Sequence, residues 1–330
     1  MKRTDETETI LEISGLKKYF PLREGFFSRS SRFVRAVDGI SFSLARKETM
    51  ALVGESGCGK STTAKLVLRL IEPTAGTIRF LGRNVLELGG KELLALRREM
   101  QIIFQDTFAS LNPRKRVREI LSQPFRNYRM DTGNLEEKVA EILELVGLSP
   151  PAIFLDRHPH ELSGGQRQRV GIARALALHP TLIVADEAVS ALDVSVKAQI
   201  LDLMKRLQRQ FDLSFLFITH DLAVVRSLAD QVAVMYLGLI VERGPVRRVF
   251  SNPLHPYTQA LLSATPVPNP RLARQKKRML LKGDVPSPVD PPKGCRFHTR
   301  CPFVMSRCRE EEPELKEKGD GLVVACFLHE

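Results

Sequence analysis

The string Gly54-Glu55-Ser56-Gly57-Cys58-Gly59-Lys60-Ser61 constrains this chain more than any other, because it fits the pattern GxxxxGK[ST]. Such a loop turns backbone N–H groups toward a phosphate chain, and its lysine adds a point charge at the β/γ end. It needs a buried strand before it and a helix after it. Both are legible: Glu48-Thr49-Met50-Ala51-Leu52-Val53 reads as the strand, and Lys60 to Leu70 has the apolar spacing of a helix. About a hundred residues on, Leu162-Ser163-Gly164-Gly165-Gln166 supplies further N–H groups at a helix start. A loop that already wraps one triphosphate has no geometric use for a second cradle in the same chain. The second cradle is therefore expected to serve a neighbour's nucleotide, in a dimer that closes on ATP.

Two more apolar runs, Leu182-Ile183-Val184-Ala185 and Ser214-Phe215-Leu216-Phe217-Ile218-Thr219, end in Asp186-Glu187 and His220-Asp221. They read as parallel strands buried on both faces. Polar residues at the carboxyl ends of such strands stand where ligands bind in open α/β sheets. Between Arg97 and Leu178 the pattern turns mostly helical, with Asn134 to Leu148 and Gly165 to Leu178 the clearest amphipathic stretches. A helical subdomain is expected to interrupt the sheet there. After Asn252 prolines become frequent, from Pro253 through Pro266, Pro268, Pro270 and Pro286 to Pro292, which marks a tail of separate character. No internal repeat is visible.

A length of 330 residues suits one large domain plus an appendage. The chain is 43% hydrophobic, enough for a sizeable core. No run approaches the roughly 18 apolar residues that crossing a bilayer requires. The start, Met1 to Thr9, lacks the apolar core of a secretory signal, so a cytosolic chain is expected, with cysteines as thiols or ligands. Net charge is +12, but lysines and arginines are scattered, and the densest run, Arg274-Gln275-Lys276-Lys277-Arg278, is short and reads as a solvated linker.

Cys295, Cys301, Cys308 and Cys326 are spaced C-x5-C-x6-C-x17-C. Four thiols so close in a reducing compartment point to a metal site. Zinc and iron–sulfur both accept four cysteines, although the C-x₂₋₄-C knuckles of most structural zinc sites are absent. The alternative is free cysteines packed in a small tail. The fifth, Cys58, reads as a small space-filler inside the phosphate loop.

With these residues in view, the chain resembles the ATP-binding subunits of ABC transporters, and more narrowly those of bacterial oligopeptide and dipeptide importers. The resemblance covers nearly all of it. It is carried by the loop at 54–61, Gln105 in Ile103-Phe104-Gln105-Asp106, Leu162 to Gln166, Asp186-Glu187, Ser190-Ala191-Leu192-Asp193 and His220, in that order. The narrower likeness rests on Ser110-Leu111-Asn112-Pro113-Arg114, on His255-Pro256-Tyr257-Thr258-Gln259-Ala260-Leu261-Leu262, and on the cysteine-bearing tail. The insertion Pro21 to Arg35 and the string Ser263-Ala264-Thr265-Pro266 further resemble the second of the two paired ATPases of such systems. Two positions depart from the importer pattern: Ala188 and Thr107 stand where proline is common.

The implied fold is an α/β P-loop NTPase of the ABC type, with a RecA-like parallel-sheet core, an antiparallel β subdomain, a helical subdomain and a small Cys-rich C-terminal tail. Residues 1–252 would form the ATPase domain, with the helical subdomain at about 97–178, and residues 253–330 the importer-type extension.

Phosphate chemistry assigns Lys60 to the β/γ-phosphates, the Ser61 hydroxyl to Mg²⁺ and Thr62 to the α-phosphate. Gly54, Gly57 and Gly59 keep side chains out of the loop, which Glu55, Ser56 and Cys58 complete. Asp186 is expected to hold Mg²⁺ through a water, and Glu187 to polarise the attacking water. The resemblance further implies that His220 contacts the γ-phosphate, that Gln105 links Mg²⁺ to the membrane partner, and that Asp193 crosses the dimer interface. Ser163, Gly164, Gly165 and Gln166 would face the other subunit's ATP, and Phe20 would stack on adenine, with Tyr19 as the alternative. A four-iron four-sulfur cluster on the four tail cysteines is implied, with zinc as the alternative.

The implied partners are a paralogous second ATPase, two transmembrane permease subunits and, indirectly, an extracytoplasmic peptide-binding protein, at the cytoplasmic face of the inner membrane. No nucleic acid is expected. The alternatives are a soluble ABC ATPase acting on nucleic acid or ribosomes, and an importer ATPase for nickel complexes or glutathione.

Overall fold

A strand that is apolar at nearly every position is stable only where both of its faces are covered. The computed structural model describes residues 8–22, 32–130, 133–265, 279–281 and 283–330. In it Thr49–Val53, Leu182–Asp186 and Ser214–Thr219 are strands with every residue buried.

In chain order the elements begin with β1 (Thr9–Leu22), β2 (Arg32–Ala45), β3 (Thr49–Val53), α1 (Lys60–Val67), β4 (Ala75–Phe80) and β5 (Arg83–Asn84). Then come α2 (Gly90–Glu99), β6 (Met100–Ile103), α3 (Thr107–Ser110), α4 (Val117–Asn127), α5 (Leu135–Leu145), α6 (Ala152–Leu155) and α7 (Gly164–Leu176). They continue with β7 (Leu182–Asp186), α8 (Val194–Phe211), β8 (Ser214–Thr219), α9 (Leu222–Leu228), β9 (Gln231–Tyr236) and β10 (Leu239–Pro245). The C-terminal part adds α10 (Val246–Ser251), α11 (Pro256–Ala264), α12 (Arg307–Glu310), β11 (Lys316–Glu317) and β12 (Val323–Val324).

These elements cluster into two compact units. A helix-rich unit comprises residues 45–48 and 87–218; a sheet-rich unit comprises 9–44, 49–86 and the described part of 219–330. In the helix-rich unit β8, β7 and β6 run parallel, Val184 sitting opposite both Leu216 and Ile102. Helix α5 shows why the helices form where they do. Asn134 caps it by accepting from the N–H groups of Glu136 and Glu137, whose charges suit the first turn, and Val139, Ile142 and Leu143 bury one face. The expectation of a mostly helical stretch from Arg97 to Leu178 needs one correction, since Met100–Ile103 is β6, paired with β7. Four residues are too few for periodicity to separate a buried strand from a turn of helix. Helix α1 likewise stops at Val67, short of Leu70, where Arg69 takes a left-handed φ of 47°.

In the sheet-rich unit an antiparallel sheet runs β2-β1-β4-β5. Beside it β3 pairs in parallel with β9, and β10, β12 and β11 follow as antiparallel neighbours. The proline-rich C-terminal part is not a tail apart. Tyr257, Phe297 and Leu322 pack in one buried cluster with Ala51 and Val53 of β3 and with Val232, Val234 and Tyr236 of β9. The Tyr236 ring meets Tyr257 at a centroid distance of 4.7 Å and takes the Phe297 ring edge-on at 5.3 Å. Residues 23–31 of the insertion, Pro266, Pro268 and Pro270, and the basic run Arg274 to Arg278 lie outside the described residues. Among the described residues no helix is long and apolar enough to cross a membrane.

Buried polar groups tie α11 to this cluster. The Glu242 carboxylate, fully buried, accepts from the N–H groups of Leu254 at 2.7 Å and His255 at 3.0 Å. The His255 Nδ1 accepts from Tyr257 N–H at 3.1 Å and so caps α11. Burial, and secondarily His329, push His255 down to about 3 from an ordinary 6.5. Between those values the unfolded chain binds a proton that the folded chain refuses. His255 therefore withdraws stability as pH falls from about 6.5 toward 3, by about 1.4 kcal/mol per pH unit. Burial pushes Glu242 up, which acts in the opposite sense. Urea midpoints compared at about pH 7.5 and about pH 5.5 are expected to fall less for His255→Asn, which keeps a capping oxygen but no titration, than for the wild type. Parallel losses in the two proteins would refute this.

Candidate phosphate and catalytic site

The phosphate loop leaves β3 and enters α1 as the glycine pattern requires. Gly54 has φ 156° and Gly59 φ 107°, and a Cβ on them would stand 2.1 Å from the Met235 carbonyl oxygen and 2.0 Å from that of Ala36. No other residue fits either position. The Lys60 side chain crosses back over the loop. It is 4% exposed, and its Nζ donates to the carbonyls of Gly54 at 2.9 Å and Glu55 at 2.8 Å, with the Cys58 Sγ at 3.6 Å. Cys58 is buried within the loop, and burial pushes its thiol up. Ser61 and Thr62 stand half-buried in the first turn of α1. His220 follows β8, exposed, immediately before Asp221, which caps α9 by accepting from Ala223 and Val224 N–H.

At the other end of β1, the two aromatic candidates for adenine separate. The Tyr19 hydroxyl donates to Asp38, and burial, then Asp38, push its phenol up to about 12. Phe20 is 37% exposed, with Lys18 Nζ 5.0 Å above its ring.

In the helix-rich unit, Gln105 and Glu187 meet although 82 residues separate them: Gln105 Nε2 donates to Glu187 Oε2 at 2.9 Å. Asp186 ends β7 at 7% exposure. Glu187 then turns through a left-handed φ of 46°, which a residue other than glycine adopts only when its surroundings hold it there. Its N–H donates to Ile218 O at 2.9 Å, and the Ser190 hydroxyl donates to its carbonyl at 2.9 Å.

Ser163 is the N-cap of α7, its Oγ accepting from Gln166 N–H while Gln166 Oε1 accepts from Ser163 N–H. Gly164 and Gln105 line one open depression together with Gln168, Ala188 and Leu192. A Cβ on Gly165 would lie 2.7 Å from Val196 Cγ1, so the glycine admits the first turn of α8. Asp193 is exposed at the N-cap of α8 without a capping bond.

All four tail cysteines line one tight cavity of about 10 Å³, with His298, Phe303 and Phe327 among its walls. Burial first, then neighbouring cysteines, push Cys295 up to about 12, and burial raises Cys301 and Cys326. Each is a free cysteine. Among the described residues no three His, Cys, Asp or Glu side chains are grouped so as to hold a metal ion, so the structure does not support the expected metal site.

Three groups at these sites carried no sequence signal of their own. Arg174, half-buried in α7, donates to Ser110 O at 2.6 Å, anchoring the segment that follows Gln105. Tyr257 and Arg300 both reach Glu55 of the phosphate loop. Tyr257 lies within the string His255 to Leu262, which marks the family without giving the tyrosine a role; an arginine among 50 basic residues is silent.

A family model described as ABC transporter matches residues 37–190, and one described as oligopeptide/dipeptide transporter, C-terminal region, matches residues 241–308. The oligopeptide transport ATP-binding protein AppF of Bacillus subtilis (strain 168) is 53% identical over 98% of this chain and 98% of its own. The dipeptide transport ATP-binding protein DppF of Haemophilus influenzae is 50% identical over 98% and 97%, and OppF of Salmonella typhimurium is 47% identical over 94% of each. Among solved structures, the ATP-binding cassette MJ0796, a dimer in a post-hydrolysis state bound to ADP and Pi, superimposes with a TM-score of 0.63 at 27% identity. It covers 72% of this chain and 99% of that one.

Gly59→Ala is expected to abolish retention of Mg-ATP in an equilibrium binding assay, because its methyl would overlap a backbone oxygen that cannot swing aside. Wild-type affinity in that variant would contradict the loop geometry.

Proposed function

Since the chain belongs to the ABC transporter family and carries its oligopeptide/dipeptide C-terminal region, we propose that it is the ATP-hydrolysing subunit that powers a peptide importer. The observation that carries this reading is the match along essentially the whole chain to peptide-transport ATP-binding proteins, with the extension as well as the ATPase part included.

In this reading Lys60 neutralises charge between the β- and γ-phosphates, and Ser61 and Asp186 hold Mg²⁺. Glu187 polarises the attacking water; the Gln105 amide that donates to its carboxylate orients it, and supports the role given to Gln105 between Mg²⁺ and the membrane partner. His220 contacts the γ-phosphate. Phe20, exposed where Tyr19 is engaged with Asp38, stacks on adenine. Ser163 through its hydroxyl and Gly165 through its N–H, at the start of a 13-residue helix, touch the γ-phosphate of a second subunit's ATP, and Asp193 crosses to that subunit. Closure does work only as far as ATP binds the closed pair more tightly than the open one.

The working partners are a paralogous ATPase and two permease subunits, served by an extracytoplasmic peptide-binding protein, which places the chain peripherally at the cytoplasmic face of the inner membrane. Residues 253–330 form the importer-type extension, and its four cysteines hold a four-iron four-sulfur cluster. That all four line one cavity supports a shared ligand, for which zinc is the alternative. When bound, such a group cross-links segments of a tail that is small for its own core.

In the purified complex with permease subunits, Glu187→Gln is expected to lower ATP turnover at least a hundredfold while ATP stays bound. Persisting turnover would remove Glu187 from the reaction. The same preparation is expected to be brown, with iron and acid-labile sulfide in equal amounts; zinc in their place would refute the cluster alone.

A further inference from the structure

Glu55 follows the first glycine of the phosphate loop and is held from two sides. Its backbone N–H donates to the Tyr257 hydroxyl at 2.9 Å. Its carboxylate accepts a fork from Arg300, Nη1 to Oε2 at 2.8 Å and Nη2 to Oε1 at 3.2 Å. Neither partner is a loose surface group. The Arg300 side chain is 9% exposed, and its guanidinium lies 5.9 Å from the centroid of the Tyr236 ring. Tyr257 is fully buried between Tyr236 and Phe297, its own N–H fixed by His255 Nδ1. Burial pushes its phenol well above the ordinary range, so the oxygen facing Glu55 keeps its proton.

What these contacts hold is the backbone that aims the lysine. Lys60 Nζ donates to the carbonyls of Gly54 and Glu55, so a shift of Glu55 moves the charge meant for the phosphates. Both holding residues come from the C-terminal part, Tyr257 from the first turn of α11 and Arg300 from beside Cys301. A second tie of the same kind runs from Arg296, beside Cys295, to Asp38, which Tyr19 also contacts.

We infer that the C-terminal extension positions the phosphate loop, with Arg300 and Tyr257 fixing Glu55, so that affinity for a nucleoside triphosphate is set in part by residues outside the nucleotide-binding motifs. Arg300 and Tyr257 are positioning residues, acting through Glu55. The inference rests on reading residues 54–61 as the phosphate loop.

The test is the dissociation constant of Mg-ATP for the full-length chain, with thermal unfolding of each variant alongside. Arg300→Ala is expected to weaken binding roughly tenfold, the scale of a lost charged hydrogen-bond pair, and Arg300→Lys to recover only part of it, since an ammonium cannot supply the fork. Tyr257→Phe, which deletes one oxygen and keeps the buried ring, is expected to weaken binding about threefold. Glu55→Gln combined with Arg300→Ala is expected to be no worse than Arg300→Ala alone. Unchanged binding in Arg300→Ala and Tyr257→Phe, with or without a lower melting temperature, overturns the inference, as does full additivity of the double variant. Should Arg300→Ala not fold, Tyr257→Phe decides by itself. Lys60→Ala separates the premises: if it binds normally, the loop assignment fails; if it alone loses ATP, only the positioning role fails.

Discussion

An ammonium group buried in a protein must have its protons accepted, and the accommodation of Lys60 sets the terms for much of this structure. The acceptors are the carbonyls of Gly54 and Glu55, so the loop must curl back over its own lysine. That curl presses two backbone positions against carbonyl oxygens of Met235 and Ala36, at distances only glycine tolerates. The phosphate loop is thus set by the end of β9 and by β2 as much as by β3 and α1. Tyr257 and Arg300 extend the same dependence to the last third of the chain.

The C-terminal part was the poorest guide to its own packing. Frequent prolines report lost backbone donors and interrupted helices, and they say nothing of where Tyr257, Phe297 and Leu322 put their side chains. In the folded chain those three residues complete the cluster under β3 and β9, and Val323–Val324 of β12 pairs with β10. The segment around the cysteines is small. Packing against β9 and β10 gives it apolar cover that its own length could not provide.

The helix-rich unit is more legible in the sequence, for a physical reason. Its helices carry their signals locally: an asparagine cap and acidic first turn in α5, and a reciprocal Ser163–Gln166 cap in α7. Strand β6 escaped because its pairing with β7 is made by residues about eighty positions away, and four apolar residues hold no period. The contact of Gln105 with Glu187 is non-local in the same way. Motif order named both residues, while only the fold could bring the amide onto the carboxylate and hold Glu187 in its left-handed turn.

Sequence alone determined the α/β class, the phosphate loop with its flanking strand and helix, the acidic strand end at Asp186-Glu187 and the family, because these depend on local backbone needs and on residue types at short spacing. Tertiary structure decided which groups satisfy one another across long separations. It gave the Tyr19 hydroxyl to Asp38 and left Phe20 exposed, gathered four dispersed cysteines around one cavity, and set Arg300 against Glu55 across 245 residues. A buried charge or hydroxyl finds its partner by proximity in the fold, and no spacing rule along the chain encodes that proximity.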